Sequence, residues 1–194
     1  DVPVTLKTRL GWDDNCLNAP DVARRAADAG VQMVTIHGRT RCQFYKGSAD
    51  WAAIRSVKEA VPVPLLANGD IINSATARQA LAQSGADGVM IGRGAEGRPW
   101  LLAQVAHDLW GTPAPEIPEG EALIQMVSAH YEAMLNFYGV DLGLRVGRKH
   151  LGWYMDYAGT NAVVRRRVLT EKDPQEVLGL LPEALTAAST EVAA

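Results

Sequence analysis

Four short segments place charged or amide side chains beside glycine or threonine, each at the polar end of an apolar run. They read KTR at 7–9, HGR at 37–39, NGD at 68–70 and GRG at 92–94. Glycine lets backbone N–H groups approach a phosphate, and a cationic side chain adds a charged hydrogen bond. If the fold brings these segments together, they can bind an anionic ligand.

Each segment also has an ordinary structural explanation. Residues 92–94 suit a turn between a strand and a helix, Lys7 can reach solvent from a strand edge, and His37 can be a core histidine bonded to a carbonyl. A lysine that points into a ligand site needs a negative partner, because an unpaired buried ammonium loses its proton. The shared position of the four segments favours ligand binding.

The apolar runs that precede these polar ends predict four strands, at residues 4–9, 32–37, 63–68 and 88–92. Nearly continuous apolar runs are typical of parallel strands covered on both faces. Helices are predicted at 21–29, 51–60 and 74–83 and from about 98–100, with Gly30 and Gly85 closing two of them. The strand spacing of 25–31 residues fits one βα unit of an eight-unit barrel. We predict an α/β fold, the carboxy-terminal half of a (β/α)8 TIM barrel with four βα units, in which ligands bind at the carboxyl ends of the strands.

A proline-rich segment divides the chain. Residues 112–118 form the predicted linker, which separates a barrel part at 1–111 from a second domain at 119–194. Apolar residues at three- and four-residue spacing predict helices in this second part, at 119–138, 142–157, 162–169 and 174–188. The sequence therefore predicts a small all-α domain after the half barrel.

Positive charge is concentrated in this helical part, although the whole chain carries a net charge of −3. Between 141 and 172 there are seven Lys or Arg residues and three acidic residues. The predicted cluster consists of Arg145, Arg148, Lys149, Arg165, Arg166 and Arg167. Aromatic residues lie among them, at Trp153, Tyr154 and Tyr157, as on surfaces that bind nucleic-acid backbones and stack bases. A solvated helix surface with an aromatic core is the alternative.

Other features exclude several classes of protein. The two cysteines, Cys16 and Cys42, have no metal-ligand spacing and fit small filler residues, so we expect neither a disulfide scaffold nor a metal site. No apolar run has membrane-spanning length and no signal peptide opens the chain. We expect a cytoplasmic protein without a membrane partner. The chain opens without Met in a predicted strand, and we expect it to be cut from a longer protein.

Taken together, the motifs resemble those of the bacterial tRNA-dihydrouridine synthases, in particular the B-type branch. The matching stretches are KTRLGWD at 7–13, IHGRTR at 36–41, QFYKGSADW at 43–51, NGDI at 68–71, GVMIGRGA at 88–95 and RKHLGWY at 148–154. The resemblance extends from about residue 2 to residue 169, with the motifs in the right order and spacing.

The resemblance implies an FMN enzyme that reduces the 5,6 double bond of particular uridines in tRNA, with NADPH as the reductant of the flavin. It places Lys7 beside the flavin ring and His37 against the cofactor. Contacts to the ribityl chain and phosphate are implied for Asn68, Gly69, Asp70, Gly92 and Arg93. A reduced flavin carries negative charge that a lysine stabilises.

For the substrate, the resemblance assigns Arg9, Arg39 and Arg41 to the target nucleotide or its phosphates. The helical domain would grip the tRNA while the target uridine is flipped out of its stack. We expect a monomer that acts on one tRNA.

One departure concerns the proton donor. Family members deliver a proton from a cysteine in an Asn-x-Gly-Cys-Pro-like loop on an earlier strand, and neither Cys16 nor Cys42 has that setting. We therefore expect no catalytic residue in this stretch, an upstream cysteine in the intact protein, and neither tight FMN binding nor turnover by these residues alone. The alternatives are a non-catalytic RNA-binding protein and another FMN- or phosphate-binding barrel oxidoreductase.

Overall fold

A computed structural model describes residues 2–186 of the chain. Its contacts divide the chain into two compact units. The first, which we call the strand unit, contains residues up to 95 and residues 101–114, and the second, the helical unit, contains residues 96–100 and the chain from 115 onward. Each unit is described by itself.

The strand unit is a parallel sheet in which every strand is followed by a helix. The strands are β1 (Thr5–Arg9), β2 (Met33–His37), β3 (Leu65–Asn68) and β4 (Gly88–Met90), and they lie in the order β1-β2-β3-β4. The helices are α1 (Ala19–Asp28), α2 (Arg55–Ala60), α3 (Ser74–Ser84) and α4 (Leu101–Trp110), and a 3-10 turn (Ala52–Ile54) precedes α2. The predicted α/β class with four parallel strands is confirmed.

Helices cover one face of this sheet. Val34, Ile36, Leu65 and Ala67 are fully buried in one apolar core with helix residues such as Val57. Alternate residues point to the other face, where Lys7, Thr35, His37 and Asn68 lie together with Leu66 and Met90, and none of these belongs to the core. Within residues 2–186 helices pack on the first face alone, and the expectation of strands covered on both faces stays a prediction.

Strand and helix ends follow local stereochemistry. β3 begins one residue after Pro64, which has no N–H to donate to a ladder. Gly30 (φ 98°) and Gly85 (φ 68°) have the left-handed conformation predicted at the ends of α1 and α3. β4 ends at Met90, two residues earlier than predicted, because a turn at Arg93–Ala95 follows.

Four helices form the described part of the helical unit. They are α5 (Gly120–Tyr138), α6 (Val140–Ala158), α7 (Ala162–Thr170) and α8 (Pro174–Thr186). Val127, Tyr131, Leu151, Met155 and Leu181 form the centre of their shared core. Positions 187 and 188 of the last predicted helix lie outside the described residues. No helix within residues 2–186 is long and apolar enough to cross a membrane.

The boundary between the units lies inside the predicted linker, between residues 114 and 115. The grouping of residues 96–100 with the helical unit was not predicted. Gly97 explains part of it, since its backbone lies against Trp153: a Cβ on Gly97 would be 2.3 Å from the Trp153 carbonyl oxygen.

We expect Gly97→Ala to lower the free energy of unfolding of the helical unit by at least about 1–2 kcal/mol. Gly97 has φ +74°, which costs alanine about that much, and the new methyl would clash with backbone. Gly179→Ala is the matched control, because Gly179 lies inside α8 with open space around it. This change should raise the free energy of unfolding of the helical unit by about 0.5–1 kcal/mol. Urea unfolding followed by circular dichroism measures both, and equal effects of the two changes would contradict the prediction.

Candidate functional site

The strand register brings the predicted segments to one edge of the sheet. Arg9 pairs with His37, His37 with Asn68, and Asn68 with Met90. Paired residues of parallel strands point to the same face, so Arg9, His37 and Asn68 share the polar face, and Lys7 lies on it two residues before Arg9. The predicted convergence of the strand ends is thus present in the strand unit.

His37 is held in a tight position beneath this edge. It is only 6% exposed, and Gly69, with φ +110°, lies against its ring. A Cβ on Gly69 would be 2.5 Å from Cδ2 of His37 and 2.8 Å from the Cβ of Ala49. Only glycine fits there, so the role of Gly69 is to make room for the imidazole.

Arg39 is buried, with 2% of its surface exposed. Its Nε donates to the carbonyl oxygen of Lys46 (3.1 Å), and its Nη2 donates to that of Gly47 (2.6 Å). Its two terminal nitrogens also donate to both carboxylate oxygens of Asp70 (3.0 and 2.6 Å), and Nη1 contacts Nε2 of His37 (3.3 Å). The predicted contact of Arg39 to the target nucleotide is therefore corrected: the protein itself occupies all five guanidinium donors.

Asp70 is the acidic centre of the site. Besides Arg39 it accepts the backbone N–H of Ala49 (2.7 Å), and Nη2 of Arg93 lies 3.4 Å away. Burial opposes ionisation of Asp70, but the hydrogen bonds from Arg39 and Ala49 outweigh it and lower the pKa of the carboxyl. A carboxylate so engaged repels a phosphate, so the geometry favours Asp70 as a scaffold for the arginines over the cofactor contact predicted from the sequence.

A loop of residues 40–50 lies over the strand ends and is fixed through its main chain. Nη1 of Arg9 donates to the carbonyl oxygens of Thr40 and Phe44, both at 2.8 Å. Arg39 and Asp70 bind the same loop farther along, at residues 46, 47 and 49. Nε1 of Trp51, just after the loop, donates to the carbonyl oxygen of Gly69 (2.8 Å).

The ring of Tyr45 extends from this loop. No role for Tyr45 was predicted from the sequence. The ring centroid lies 4.5 Å from Cζ of Arg93, 5.6 Å from Cζ of Arg9 and 6.4 Å from the centroid of His37. Tyr45 is nevertheless 62% exposed. Its position between Arg41 and Lys46, in the loop that follows β2, was the pattern that could have identified it, because cations and exposed aromatics together are typical of nucleotide-binding surfaces.

Cations outnumber acids at the strand ends. Lys7, Arg9 and Arg93 lie near the Arg39–Asp70 pair, and the side-chain ammonium of Lys7 forms no ion pair or hydrogen bond with any residue in the range 2–186. Burial and the neighbouring Arg9 lower the pKa of the Lys7 ammonium, as expected for a cation without a negative partner. A bound anion would relieve this repulsion.

Asn68 and Gly92 complete the edge. Nδ2 of Asn68 donates to the carbonyl oxygen of Met90 (2.8 Å), which ties β3 to β4 at the point where both strands end. A Cβ on Gly92 would meet no atom within 4 Å, so its backbone borders open space beside Arg93. Open backbone next to an exposed guanidinium fits a phosphate group.

Burial lowers the pKa of His37 to about 4, and the charges of Arg9, Lys7 and Arg39 act in the same direction while Asp70 opposes them. The unfolded histidine titrates near 6.5, so the unfolded chain binds more protons between these values. We expect the free energy of unfolding of the strand unit to fall as the pH decreases from about 6.5 to about 4. Urea midpoints at pH 7.5 and pH 5 should differ less for His37→Asn than for the unaltered protein. Equal differences would refute the prediction.

In the helical unit the predicted basic cluster is only partly available to a ligand. Arg165 pairs with Asp156 (2.6 Å) and Arg167 with Glu183 (2.9 Å). Arg148 donates to the carbonyl oxygen of residue 171, and its Nε is buried. Within the predicted cluster, the cations that are exposed and form no ion pair with a described residue are Arg145, Lys149 and Arg166.

Lys149 and its neighbours form the aromatic part of this surface. Nζ of Lys149 lies 5.0 Å from the ring centroid of Trp153, and His150 packs edge-to-face against the same indole at 5.1 Å. Tyr154 is buried, and its hydroxyl bonds to Nδ1 of His130 at 3.0 Å. Lys149 and Trp153 thus remain candidates for contact with a nucleic acid, whereas Tyr154 belongs to the core.

Comparisons with known proteins agree with these motifs. The family model described as dihydrouridine synthase matches residues 1–190. A probable tRNA-dihydrouridine synthase of Rhodobacter capsulatus is 56% identical over 186 residues, which are 96% of this chain and 57% of that protein. The corresponding protein of Rickettsia conorii is 50% identical over 95% of this chain and 56% of its own length.

One further relative and one solved structure are also similar to this chain. The tRNA-dihydrouridine synthase B of Vibrio vulnificus is 47% identical over 80% of this chain and 48% of its own length. A solved mandelate oxidase mutant with benzaldehyde aligns at 17% identity and a TM-score of 0.34, over 96% of this chain and 64% of its own, which is too distant to support an argument. This chain spans about half the length of the curated relatives it matches. The chain belongs to the dihydrouridine synthase family.

Proposed function

We propose that the chain is part of an FMN-dependent tRNA-dihydrouridine synthase, which uses NADPH to reduce the 5,6 double bond of uridines in tRNA. Membership of the family supports the reaction, and the names of the relatives support tRNA as the substrate. The observation that carries the proposal is the convergence of Lys7, Arg9, His37 and Arg93 at one edge of a sheet, around a single carboxylate that is already paired.

We further propose that the sheet is half of a (β/α)8 barrel, with its polar face turned to the interior. Three features support this: the strands are parallel and sequential, helices pack on one face only, and the other face carries polar side chains at the carboxyl ends. Active sites of such barrels lie at that end of the strands.

The donor set of the strand unit fits FMN. Arg93 and the open backbone at Gly92 suit its phosphate, Asn68 suits the hydroxyl-bearing chain, and Lys7 suits the negative charge of the reduced ring. The chemistry supplied by bound FMN is hydride transfer to the uridine ring, with NADPH as the source of electrons.

The protein side of the reaction is to bind, orient and exclude water. Lys7 places a cation beside the cofactor site, and Tyr45 covers the guanidinium groups of Arg9 and Arg93. Arg41, whose Cζ lies 4.4 Å from the ring centroid of the exposed Phe44, offers a cation and an aromatic ring to the RNA. No role in proton delivery is proposed for the exposed Cys16 and Cys42.

For tRNA docking we propose the exposed cations Arg145, Lys149 and Arg166, together with the Trp153 ring. These residues contact phosphates and sugar without reading sequence. Reduction of a uridine that is stacked in folded tRNA requires its extrusion, and cations that hold the surrounding backbone favour this step.

The intact protein, with NADPH and FMN, should introduce dihydrouridine into unmodified tRNA, detected by mapping each uridine position. The double variant Arg145→Ala/Lys149→Ala should lower tRNA affinity at least about tenfold and flatten its salt dependence, because phosphate contacts release counterions. Arg24→Ala, which removes an exposed positive charge from α1, is the control and should leave tRNA affinity almost unchanged. Absence of dihydrouridine at every position, with FMN bound, would reject the proposed reaction and leave a non-catalytic RNA-binding role.

A further inference from the structure

The contact between Arg39 and His37 defines the protonation of the imidazole. Guanidinium nitrogens carry five N–H donors and no acceptor. Four donors of Arg39 go to the oxygens of residues 46, 47 and 70, and the fifth lies on Nη1, 3.3 Å from Nε2 of His37. Nε2 must therefore accept this hydrogen bond, and it cannot carry a proton.

The surroundings of His37 agree with a neutral ring. Lys7 and Arg9 from β1 and Arg39 from its own segment face it with positive charge, and Asp70 is the acidic group nearby. Arg39 fills two acceptor positions of the Asp70 carboxylate, and Ala49 and Arg93 fill the other two, which leaves none for an imidazolium. A neutral imidazole with an unprotonated Nε2 carries its hydrogen on Nδ1.

The orientation of the ring is also fixed. Gly69 lies against the Cδ2–Nε2 edge, where a Cβ would be 2.5 and 2.8 Å from those two atoms. The Nδ1 side therefore faces away from Gly69. Within residues 2–186, no side chain or backbone group forms a hydrogen bond with Nδ1.

We infer that Arg39 is a positioning residue, which holds His37 in a single tautomer and directs the Nδ1–H donor at an acceptor oxygen of the bound ligand. The identity of that ligand as FMN rests on the proposed function. The tautomer itself does not, because it follows from contacts within the strand unit. Arg39 thereby acts on the ligand through His37 and not by contact.

Nitrogen-15 spectra of histidine side chains in the intact protein test the inference directly. The chain has four histidines, and the signals missing from His37→Asn identify those of His37. We expect Nδ1 protonated and Nε2 unprotonated at pH 7, in the absence of any ligand. A predominant Nε2–H form, or a doubly protonated ring at pH 7, would overturn the inference.

Arg39→Lys separates positioning from general stability. Lysine keeps the positive charge but cannot form the several hydrogen bonds of the planar guanidinium, so His37 should populate both tautomers. Arg41→Lys, the same change at an exposed position, is the control and should leave the His37 signals unaltered. A single unchanged tautomer in folded Arg39→Lys counts against the positioning role. If that variant does not fold, the nitrogen-15 spectrum of the unaltered protein and the FMN titrations of two His37 variants still test the inference.

Two variants of His37 distinguish its nitrogens by FMN titration. The amide nitrogen of asparagine reaches about as far as Nδ1, and that of glutamine about as far as Nε2. We expect His37→Asn to bind FMN within a few-fold of the unaltered protein and His37→Gln to bind about tenfold more weakly, the effect of one lost hydrogen bond. The reverse order overturns the inference. Failure of the unaltered protein to bind FMN rejects the proposed function and leaves the tautomer result standing.

Discussion

Asp70→Ala is expected to lower the free energy of unfolding of the strand unit by about 3 kcal/mol. The change leaves the Arg39 guanidinium, 2% exposed, without its two carboxylate bonds, and removal of one partner of a buried ion pair typically costs about 3–5 kcal/mol. The lower end of that range applies, because the Asp70 side chain is 31% exposed. The N–H of Ala49 also loses its acceptor.

Urea unfolding of the intact protein measures this effect, with Lys58→Ala as the control. Lys58 forms another long-range ion pair of the strand unit, with Asp87 at 2.7 Å, but both side chains are partly exposed. Exposed pairs contribute about 0–1 kcal/mol. If the two variants lose similar stability, the Arg39–Asp70 pair does not hold loop 40–50 as described.

The second large effect concerns two cations at the strand ends, Lys7 and Arg93. Lys7→Ala and Arg93→Ala should each weaken FMN binding by about 10–100-fold, since a hydrogen bond to a charged group contributes about 1.5–3 kcal/mol. Both residues lie where positive charge exceeds negative charge, and neither is part of the apolar core. Flavin fluorescence titration of the intact protein measures the dissociation constants.

Arg24→Ala removes one positive charge from exposed helix α1 and serves as the control for net charge. It should bind FMN as the unaltered protein does. Salt offers a further check, because loss of a phosphate contact should reduce the dependence of affinity on ionic strength. Unchanged FMN affinity in both Lys7→Ala and Arg93→Ala would exclude the strand ends as the anion site.

The positions of the site residues along the chain were predictable, because they depend on short-range pattern. An apolar run that ends in a polar residue identifies the carboxyl end of a parallel strand, and the register then aligns Arg9, His37 and Asn68 without further information. The helices of the second unit were predictable for the same reason, as the spacing of Leu123, Val127 and Met134 illustrates.

The direction of individual charged side chains was not predictable. Arg39 turns inward because Asp70, 31 positions later, and the carbonyl groups of loop 40–50 surround it. Arg165 likewise forms an ion pair with Asp156, which lies nine positions earlier on another helix. The local sequence does not distinguish these two arginines from Lys149. Only the tertiary contacts show that both arginines are paired and that Lys149 is exposed.

Loop 40–50 is anchored through its main chain, by the carbonyl oxygens of residues 40, 44, 46 and 47 and by the amides of residues 41, 42, 49 and 50, none of which depends on side-chain identity. Its outward-facing positions, such as Phe44 and Lys46, can therefore change during evolution while the anchoring arginines and Asp70 stay constant. Under the proposed function, such a loop can present different side chains to RNA without any change in the strand-end residues beneath it. Diversification of target position would then proceed by substitution on the outside of one loop.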